Sequence, residues 1–413
     1  MTTDARATAP AHAGRAGLLR LLGPAFVAAI AYVDPGNVAA NLTAGAGYGY
    51  LLLWVLVAAN GMAVLVQYLS AKLAVVSGST LPEALRDRLG RKARLAYWAQ
   101  AELVAIATDL AEVIGGAVAL YLLFDLPLLV GGVITGIVSL LMLALHNRTG
   151  VRRFEAVIIG FLLVIVVGFV SSNFLSPPDP GEALAGLVPR FDGAETVLLA
   201  ASMLGATVMP HAVYLHSAMA RDHHGTVAAR DTRRVLGATR IDVVAALVVA
   251  GLVNISMLLL AASALRGVEG TDTLEGAHAA VAAHLGTGAA LLFAIGLLAS
   301  GLASTSVGAY AGAVIMQGLL RIEVPLLLRR AVTLIPALVC LGIGVDPTRA
   351  LVVSQVVLSF GIPFALIPLV RLTSSRDLMG EHANRPLTQV FAVVAVGLVV
   401  ALNLALLYLT FFG

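Results

Sequence analysis

Long apolar stretches, separated by short polar or basic segments, recur along the whole 413-residue chain. Runs of about 18 to 28 apolar residues are long enough to cross a bilayer as helices, and they lack the alternation of a membrane β-strand. The pattern predicts eleven transmembrane helices, called spans 1 to 11: 18–45, 48–76, 95–123, 126–146, 153–173, 195–219, 236–265, 284–313, 327–344, 348–370 and 387–411.

The composition agrees with an all-α integral membrane protein. Hydrophobic residues make up 59% of the chain and charged residues 12%, whereas soluble domains carry about 25% charged residues. The single cysteine, Cys340, excludes a disulfide within the chain and a Cys-based metal centre. Residues 1–17 are mildly basic and are expected to form a disordered cytoplasmic tail.

The basic residues are distributed unevenly between the predicted connections. Of the 26 Lys and Arg residues, all but Arg190, Arg266 and Arg349 fall in the N-terminal tail or near the connections that follow the even-numbered spans. Lys and Arg are enriched on the cytoplasmic side of membrane proteins. We therefore expect a multi-pass protein of the cell (inner) membrane, with a cytoplasmic N-terminus and an extracytoplasmic C-terminus. The outer connections, 174–194 and 266–283, are expected to be plain loops.

Two spans are interrupted near the middle of the membrane by residues that break helices. Pro35 and Gly36 interrupt span 1, and Pro210 interrupts span 6. Each proline alone is compatible with an ordinary kink. Breaks at corresponding positions of two halves, however, are typical of a transporter whose site lies near the bilayer midplane.

The positions of these breaks divide the predicted spans into two halves. Spans 1–5 form a first repeat over 18–173, spans 6–10 form a second over 195–370, and the last span, 387–411, stands outside both. Because each half holds an odd number of spans, the two halves have opposite orientation in the membrane. The prediction is a five-plus-five inverted repeat.

The breaks also provide candidate ligands for a cation. A proline has no N–H, so the carbonyl four residues earlier loses its partner; this frees the carbonyls of Ala31 and Ala206. The neighbouring residues Asp34, Asn37 and Met209 add a carboxylate, an amide and a thioether. Mg²⁺ and Ca²⁺ prefer all-oxygen shells, whereas a thioether suits softer transition metals. The alternative for Met209 is a packing role in the core.

Span 3 carries three acids, Glu102, Asp109 and Glu112, within about 80° of one helical face. Carboxylates inside a membrane are costly, and chains of them mark proton relays. The alternative is structural ion pairing. Arg329 and Arg330, at the start of span 9, could provide the partners.

The motifs DPGN in span 1 and MPH in span 6 resemble those of the Nramp family of proton-coupled divalent metal transporters. The stretches ELVAIATDLAEVIGGA in span 3 and SQVVLSFGIPFALIPL in span 10 agree with it. The resemblance implies a LeuT-like fold and no enzymatic activity or cofactor. It also implies import of divalent transition metals (Mn²⁺, with Fe²⁺, Cd²⁺ and Co²⁺) together with protons, by alternating access.

The same resemblance assigns roles to individual residues. It places the metal between the two breaks, with the ligands Asp34, Asn37, Met209 and the carbonyls of Ala31 and Ala206, and with Gln355 as a contact in an occluded state. It implies that Asp34 takes up a proton, which then passes towards the cytoplasm through a set of groups on spans 3, 6 and 9: Asp109, Glu112, His211 and Arg330. Glu102 and Arg329 are less specific members of this set.

Other functions fit the pattern less well. A sodium-coupled amino-acid symporter of the same architecture would place Asp34 against the substrate carboxylate and would not use the Met209 thioether. The sequence motifs of an intramembrane hydrolase, such as HExxH and GxSxG, are absent from the spans. A receptor or structural protein does not need paired helix breaks. The expected partners are therefore metal ions, protons and the lipid bilayer, and not nucleic acid.

Overall fold

The computed structural model describes residues 23–149, 151–225, 227–228 and 230–412, and within them the chain forms helices joined by turns and loops, without strands. The all-α prediction is confirmed, while the predicted tail 1–17 lies outside the described residues. The helices are α1 Pro24–Ala29, a 3₁₀ helix Ile30–Val33, α2 Pro35–Tyr48, α3 Leu53–Ser77, α4 Leu81–Arg86, α5 Arg91–Phe124, α6 Leu128–Thr149, α7 Val151–Val170, α8 Ser172–Leu175, α9 Pro180–Ala185, α10 Gly193–Thr207, α11 Pro210–His224, α12 Thr232–Ala264, α13 Leu274–Leu285, α14 Thr287–Leu320, α15 Leu326–Gly342, α16 Pro347–Ser374, α17 Arg376–Met379, a second 3₁₀ helix Gly380–His382, and α18 Pro386–Phe412.

Eight helices in the described part of the chain are long and apolar enough to cross a membrane, counting α10 and α11 as one. Two shorter apolar helices, Pro24–Val33 and Leu128–Met142, fall within predicted spans 1 and 4. Span 9 corresponds to α15, which has 17 residues. Each predicted span therefore has a helical counterpart, but the count of eleven crossings stays a prediction.

Glycines allow the long central helices to approach closely. A Cβ on Gly301 of α14 would lie 3.1 Å from the backbone nitrogen of Gly116 and 3.2 Å from the carbonyl of Glu112, both on α5. Small residues at such contacts let backbones pack where a larger side chain would hold them apart. This contact fixes α14 against the acid-bearing face of α5.

Both predicted loops are partly wrong. The connection 174–194 contains α9, whose N-terminus is capped by Asp179 through the Glu182 amide at 2.8 Å, with Pro180 at its first position. The connection 266–283 contains most of α13, whose N-terminus is capped by Thr273 through the Gly276 amide at 3.0 Å. Leu274, Ala277 and Val281 of this helix are buried. They recur at helical spacing between polar residues, so the polar composition of the segment concealed an amphipathic helix.

Candidate metal site at the two helix breaks

The first break consists of one extended residue between two short helices. The 3₁₀ helix ends at Val33, Asp34 has φ −71° and ψ 169°, and α2 begins at Pro35. Proline fits the first position of a helix, where its missing N–H has no intrahelical partner to lose. One carboxylate oxygen of Asp34 accepts from the backbone nitrogen of Asn37 at 2.7 Å and from its side-chain amide at 2.8 Å. The candidate metal ligand Asp34 is therefore also the N-cap of α2.

Side chains from two other helices bind the carbonyls at the end of the 3₁₀ helix. The Asn254 amide donates to the Tyr32 carbonyl at 2.7 Å, and the Ser300 hydroxyl donates to the Val33 carbonyl at 2.6 Å. Asn254 also accepts from the Asn41 amide at 3.0 Å. No motif in the sequence pointed to Asn254 or Ser300. Each is a polar residue inside an apolar span, but that position alone does not show which carbonyl it binds.

The second break is a two-residue link with weaker local bonding. The first half, α10, ends at Thr207, and α11 begins at Pro210. Met209 is the N-cap residue of α11, but its side chain makes no capping hydrogen bond. It is fully buried. The thioether therefore lies at the break without a role in ending the helix.

A hydrogen bond joins the two breaks directly. The Asn37 side-chain amide donates to the Ala206 carbonyl at 3.0 Å as well as to Asp34. Three of the five ligands implied by the breaks are thus in one hydrogen-bonded group, and the carbonyl that Pro210 was expected to free is one of them. Among the described residues, the oxygen of the Asn37 amide has no hydrogen-bond partner.

Gln355 of α16 contacts both broken spans, its side chain near the first break and its backbone near Gly205 of α10. Its amide nitrogen is 3.4 Å from the second carboxylate oxygen of Asp34. A Cβ on Gly36 would overlap the Gln355 side chain, and a Cβ on Gly205 would overlap its backbone carbonyl. Within the described part of the chain, the Gln355 amide oxygen has no partner. The two glycines thus allow α16 to bring a further oxygen donor to the site.

The predicted ligand residues are all closed off from solvent. Relative exposure is 2% for Ala31 and 0% for Asp34, Asn37, Met209 and Gln355; the same holds for Ala206. Asp34 is the one titratable group among them. No group of three or more His, Cys, Asp or Glu residues suited to a metal occurs in the described residues. The donors here are instead of mixed type, with a single formal negative charge.

The acids of span 3 continue from this site along α5. Arg330 of α15 pairs with Asp109 at 2.6 Å and lies 3.9 Å from Glu112, and its guanidinium also donates to the Ser139 hydroxyl at 3.1 Å. The side chain of Arg330 is fully buried. Both oxygens of Glu112 lack a hydrogen-bond partner among the described residues, and Glu112 interacts electrostatically with Asp34.

Glu102 and Arg329 form a separate pair two helical turns away, at 2.7 Å. The Glu102 side chain is 17% exposed, whereas those of Asp109 and Glu112 are 2% and 1% exposed. The ion pairing considered as the alternative is therefore present for these acids. It does not exclude proton exchange, because Glu112 keeps unpaired oxygens next to a buried cation.

His211 connects the second break with the acids. Its Nδ1 lies 3.3 Å from the Thr108 hydroxyl, and its ring interacts electrostatically with Asp109. Nε2 has no partner in the described part of the chain. His216, one turn further along α11, contacts Gln67 at 2.7 Å, and Gln67 donates to the Tyr32 hydroxyl. The sequence did not indicate that Gln67 bonds to both broken spans.

The arrangement can hold one divalent cation between two helix breaks and can hold protons on adjacent carboxylates. The oxygens and the thioether are neutral except for Asp34, so the site compensates only part of a divalent charge. Weak binding of this kind permits release.

Comparisons with known proteins identify the family of this chain. The family model described as "Natural resistance-associated macrophage protein-like" (Nramp) matches residues 25–409. The divalent metal cation transporter MntH of Mycobacterium tuberculosis is 63% identical over 395 residues, covering 95% of this chain and 92% of that protein. MntH of Mycobacterium leprae is 59% identical over 391 residues, covering 94% and 92%.

A solved structure is similar over nearly the whole chain. The crystal structure of the Eremococcus coleocola manganese transporter, in complex with an aromatic bis-isothiourea substituted compound, superposes with a TM-score of 0.86. That protein is 32% identical, and the match covers 96% of this chain and 88% of the other. The fold is therefore LeuT-like, with two broken helices at its centre. On the family match and these identities together, the chain belongs to the Nramp family.

Proposed function

We propose that this protein imports divalent transition metal ions, Mn²⁺ foremost, together with protons. The observation that carries the proposal is the hydrogen bond from Asn37 to the Ala206 carbonyl at 3.0 Å, which brings the two breaks together beside Asp34. As a member of a transporter family, the chain is a multi-pass membrane transporter and not an enzyme. Relatives named as divalent metal cation transporters support the substrate class.

The donor chemistry supports the choice of metal. Asp34, Asn37, Met209 and the carbonyls of Ala31 and Ala206 form the proposed coordination shell, and Gln355 joins it when the site closes. Hard cations gain little from a thioether, whereas Mn²⁺, Fe²⁺, Co²⁺ and Cd²⁺ accept mixed shells. In the structure the Asn37 amide donates to two of the other proposed ligands. The amide oxygen has no hydrogen-bond partner among the described residues and is the atom that Asn37 would offer to the ion.

The proposed proton route begins at the same site. Asp34 takes up a proton, and Glu112, which interacts with it electrostatically, is the next carboxyl group. Asp109 follows, paired with Arg330 at 2.6 Å. His211 lies beside this route, and Glu102 with Arg329 at its end. The two charges of a divalent metal ion moved inward along a potential of 100 mV gain about 4.6 kcal/mol, and each accompanying proton adds about 2.3 kcal/mol, which favours import.

The burial of the site supports alternating access. No route to solvent is open at Asp34, Asn37 or Gln355, since all three are fully buried. The halves 18–173 and 195–370, with 387–411 outside them, are proposed to be the inverted repeat that rocks about the site. The distribution of basic residues supports a cell-membrane orientation with the N-terminus in the cytoplasm and the C-terminus outside.

The test is uptake into sealed proteoliposomes with internal pH followed at the same time. Mn²⁺ should enter with acidification, and Mg²⁺ and Ca²⁺ should be excluded. Met209→Ala should admit Mg²⁺ or Ca²⁺ more readily. Met203→Ala is the matched control, because Met203 is also fully buried in the same broken span but lies six residues before Met209, within α10.

Each result bears on a different part of the proposal. Equal selectivity in the two methionine variants would remove the thioether from the site. Metal entry without any change of internal pH would remove proton coupling. Transport of a labelled amino acid in place of any divalent ion would replace the proposal with a symporter. No feature of the site favours that alternative, because Asp34 would repel the substrate carboxylate.

A further inference from the structure

A cavity of about 780 Å³ lies between α3, α12 and the segment that leads into α18. None of the residues at the two helix breaks lines it. On α3 it is lined by Gly61, Val64, Leu65, Tyr68 and Lys72. These positions recur every three or four residues and so form one face of the helix. The wall therefore changes along its length from apolar to basic.

The second wall of the cavity also carries both basic and apolar side chains. On α12 the lining residues are Arg233, Leu236, Arg240 and Val244, again one helical face. The base is closed by the segment from Glu381 to Thr388, which includes Arg385. On α3 the basic residue lies at one end of the lining face, and on α12 Arg233 and Arg240 alternate with Leu236 and Val244. The cavity therefore has both a basic and an apolar lining.

The positive charge in this cavity is only partly balanced. Glu381, the one acid lining the cavity, pairs with Arg233 at 3.2 Å. Arg240 and Arg385 have no ion-pair partner among the described residues, although both interact electrostatically with Tyr68. Lys72 donates to the Asn384 side chain at 2.9 Å, a neutral group. Three cations therefore face one cavity without an acidic partner in the part of the chain that the structure describes.

The position of Arg385 adds to this imbalance. It immediately precedes Pro386, the first residue of α18, and the Gln389 amide bonds to its carbonyl at 3.0 Å. A helix N-terminus carries a partial positive charge that favours anions and disfavours cations. An arginine placed there is stabilised when an anion lies between it and the helix end.

We propose that this cavity binds the phosphate headgroup of an anionic phospholipid, with an acyl chain along the apolar faces of α3 and α12. A basic pocket between membrane helices is suited to such headgroups. The apolar walls favour a lipid over free phosphate, since free phosphate would leave Val64, Leu65 and Val244 without a ligand. The inference does not depend on the transported substrate. On the proposed orientation, the lipid belongs to the cytoplasmic leaflet.

The test counts lipids retained by the full-length protein. The purified protein in neutral detergent is titrated with dioleoyl phosphatidylglycerol or dioleoyl phosphatidylcholine, and bound lipid is measured by native mass spectrometry. Wild type should retain phosphatidylglycerol preferentially. The double variant Arg240→Gln/Arg385→Gln should bind it about 25-fold more weakly, because each cation near the membrane surface contributes about fivefold.

The matched control removes the same charge elsewhere at this end of the bundle. Arg91→Gln/Arg376→Gln alters two exposed arginines outside the cavity and should leave lipid retention unchanged. Both double variants should still take up metal, which shows that they fold. Equal losses in the two variants, or equal binding of both lipids by wild type, would overturn the proposal. Displacement of phosphatidylglycerol by millimolar inorganic phosphate would assign the site to free phosphate instead.

Discussion

The two helix breaks share a proline and a central position but are held in different ways. At the first, Asp34 caps its own helix, and Asn254 and Ser300 bind the carbonyls that precede it. At the second, Met209 makes no capping hydrogen bond. The side-chain bond to the end of α10 comes from Asn37 of the first break. The first break is thus held by side chains of other helices, whereas the second receives a hydrogen bond from the first.

The half-helix that follows the second break is anchored along its length by residues of α3 and of the segment that begins α4. The Ser70 hydroxyl donates to the Val213 carbonyl at 2.6 Å, and the Leu81 amide donates to the Ser217 hydroxyl at 3.0 Å. Arg221 pairs with Glu83 at 2.8 Å. The direct hydrogen bond between the two breaks is donated by Asn37, which is itself a proposed metal ligand. A metal that engages Asn37 acts on this contact between the two halves.

The largest effect should come from removing the charge at the first break. Asp34→Asn should reduce metal uptake by more than about 100-fold, because the loss of a direct ligand exceeds the 10- to 100-fold typical of residues that only orient one. Thermal stability should change little, since Asn caps helices as well as Asp. Uptake of Mn²⁺ and the midpoint of thermal unfolding in detergent measure the two effects separately.

Asp242→Asn is a matched control for this change. Asp242 is also a buried carboxylate at a helix N-terminus, where it accepts from the amides of Gly23 and Ala25 at 3.0 Å. This variant should retain most of its uptake. If the Asp34 variant transports metal well and carries an unchanged proton flux, the first break does not contain the substrate site.

The second prediction compares how the breaks are supported. Asn254→Leu leaves the Tyr32 carbonyl and the Asn41 amide without their partner, and each unsatisfied group costs about 1–3 kcal/mol. Met209→Leu keeps the volume at the second break and should cost less than about 1.5 kcal/mol. The thermal unfolding midpoint of Asn254→Leu should therefore fall well below that of Met209→Leu. Equal midpoints would mean that the two breaks are equally supported.

The glycines under Gln355 allow a sharper comparison. A Cβ on Gly205 meets the Gln355 backbone, whereas a Cβ on Gly36 meets only its side chain. Gly205→Ala should therefore cost about 1–3 kcal/mol of stability, and Gly36→Ala less. Adding Gln355→Ala should relieve the Gly36 variant but not the Gly205 variant. A double-mutant cycle on unfolding midpoints measures this coupling, and equal relief in both would contradict the assigned contacts.

The sequence pointed to the residues at the two breaks, but not to the residues of other helices that hydrogen-bond to them. The apolar pattern placed the spans, and proline chemistry placed the breaks and the Ala206 carbonyl, because these depend on local covalent geometry. The contacts of Asn254 and Ser300 depend on chain segments more than 200 residues apart. A sequence shows that such a residue is polar within an apolar span, but its partner is set by packing.

The acids of α5 show the same limit. Their common face was predictable from helical periodicity, and two arginines were available nearby. Which arginine meets which acid is a result of the packing of α15 against α5, which pairs Arg330 with Asp109 and Arg329 with Glu102. The proposed roles in metal and proton transfer remain predictions, as does the part of the Ala31 carbonyl.

The smallest effect should come from the distant anchor of the second half-helix. Burial raises the pKa of Glu83, but hydrogen bonds from the Thr80 amide and from Arg221 outweigh it, so the pKa lies below its usual value. A depressed pKa stabilises the folded state above the ordinary glutamate pKa of about 4.3, and this stabilisation is lost as the pH falls through the lower folded value. The pair is partly exposed, so Glu83→Gln should cost less than about 1 kcal/mol at neutral pH.

The pH dependence distinguishes an anchor from a chance surface contact. Near pH 7 the unfolding midpoint of Glu83→Gln should lie slightly below that of wild type, and the difference should shrink as the pH falls below about 4.3, because wild type then loses the same charge. Asp87→Asn, which removes an exposed acid next to Arg86, serves as the control and should leave the unfolding midpoint at neutral pH close to that of wild type. A constant difference between wild type and Glu83→Gln at every pH would show that the carboxylate charge does not hold α11.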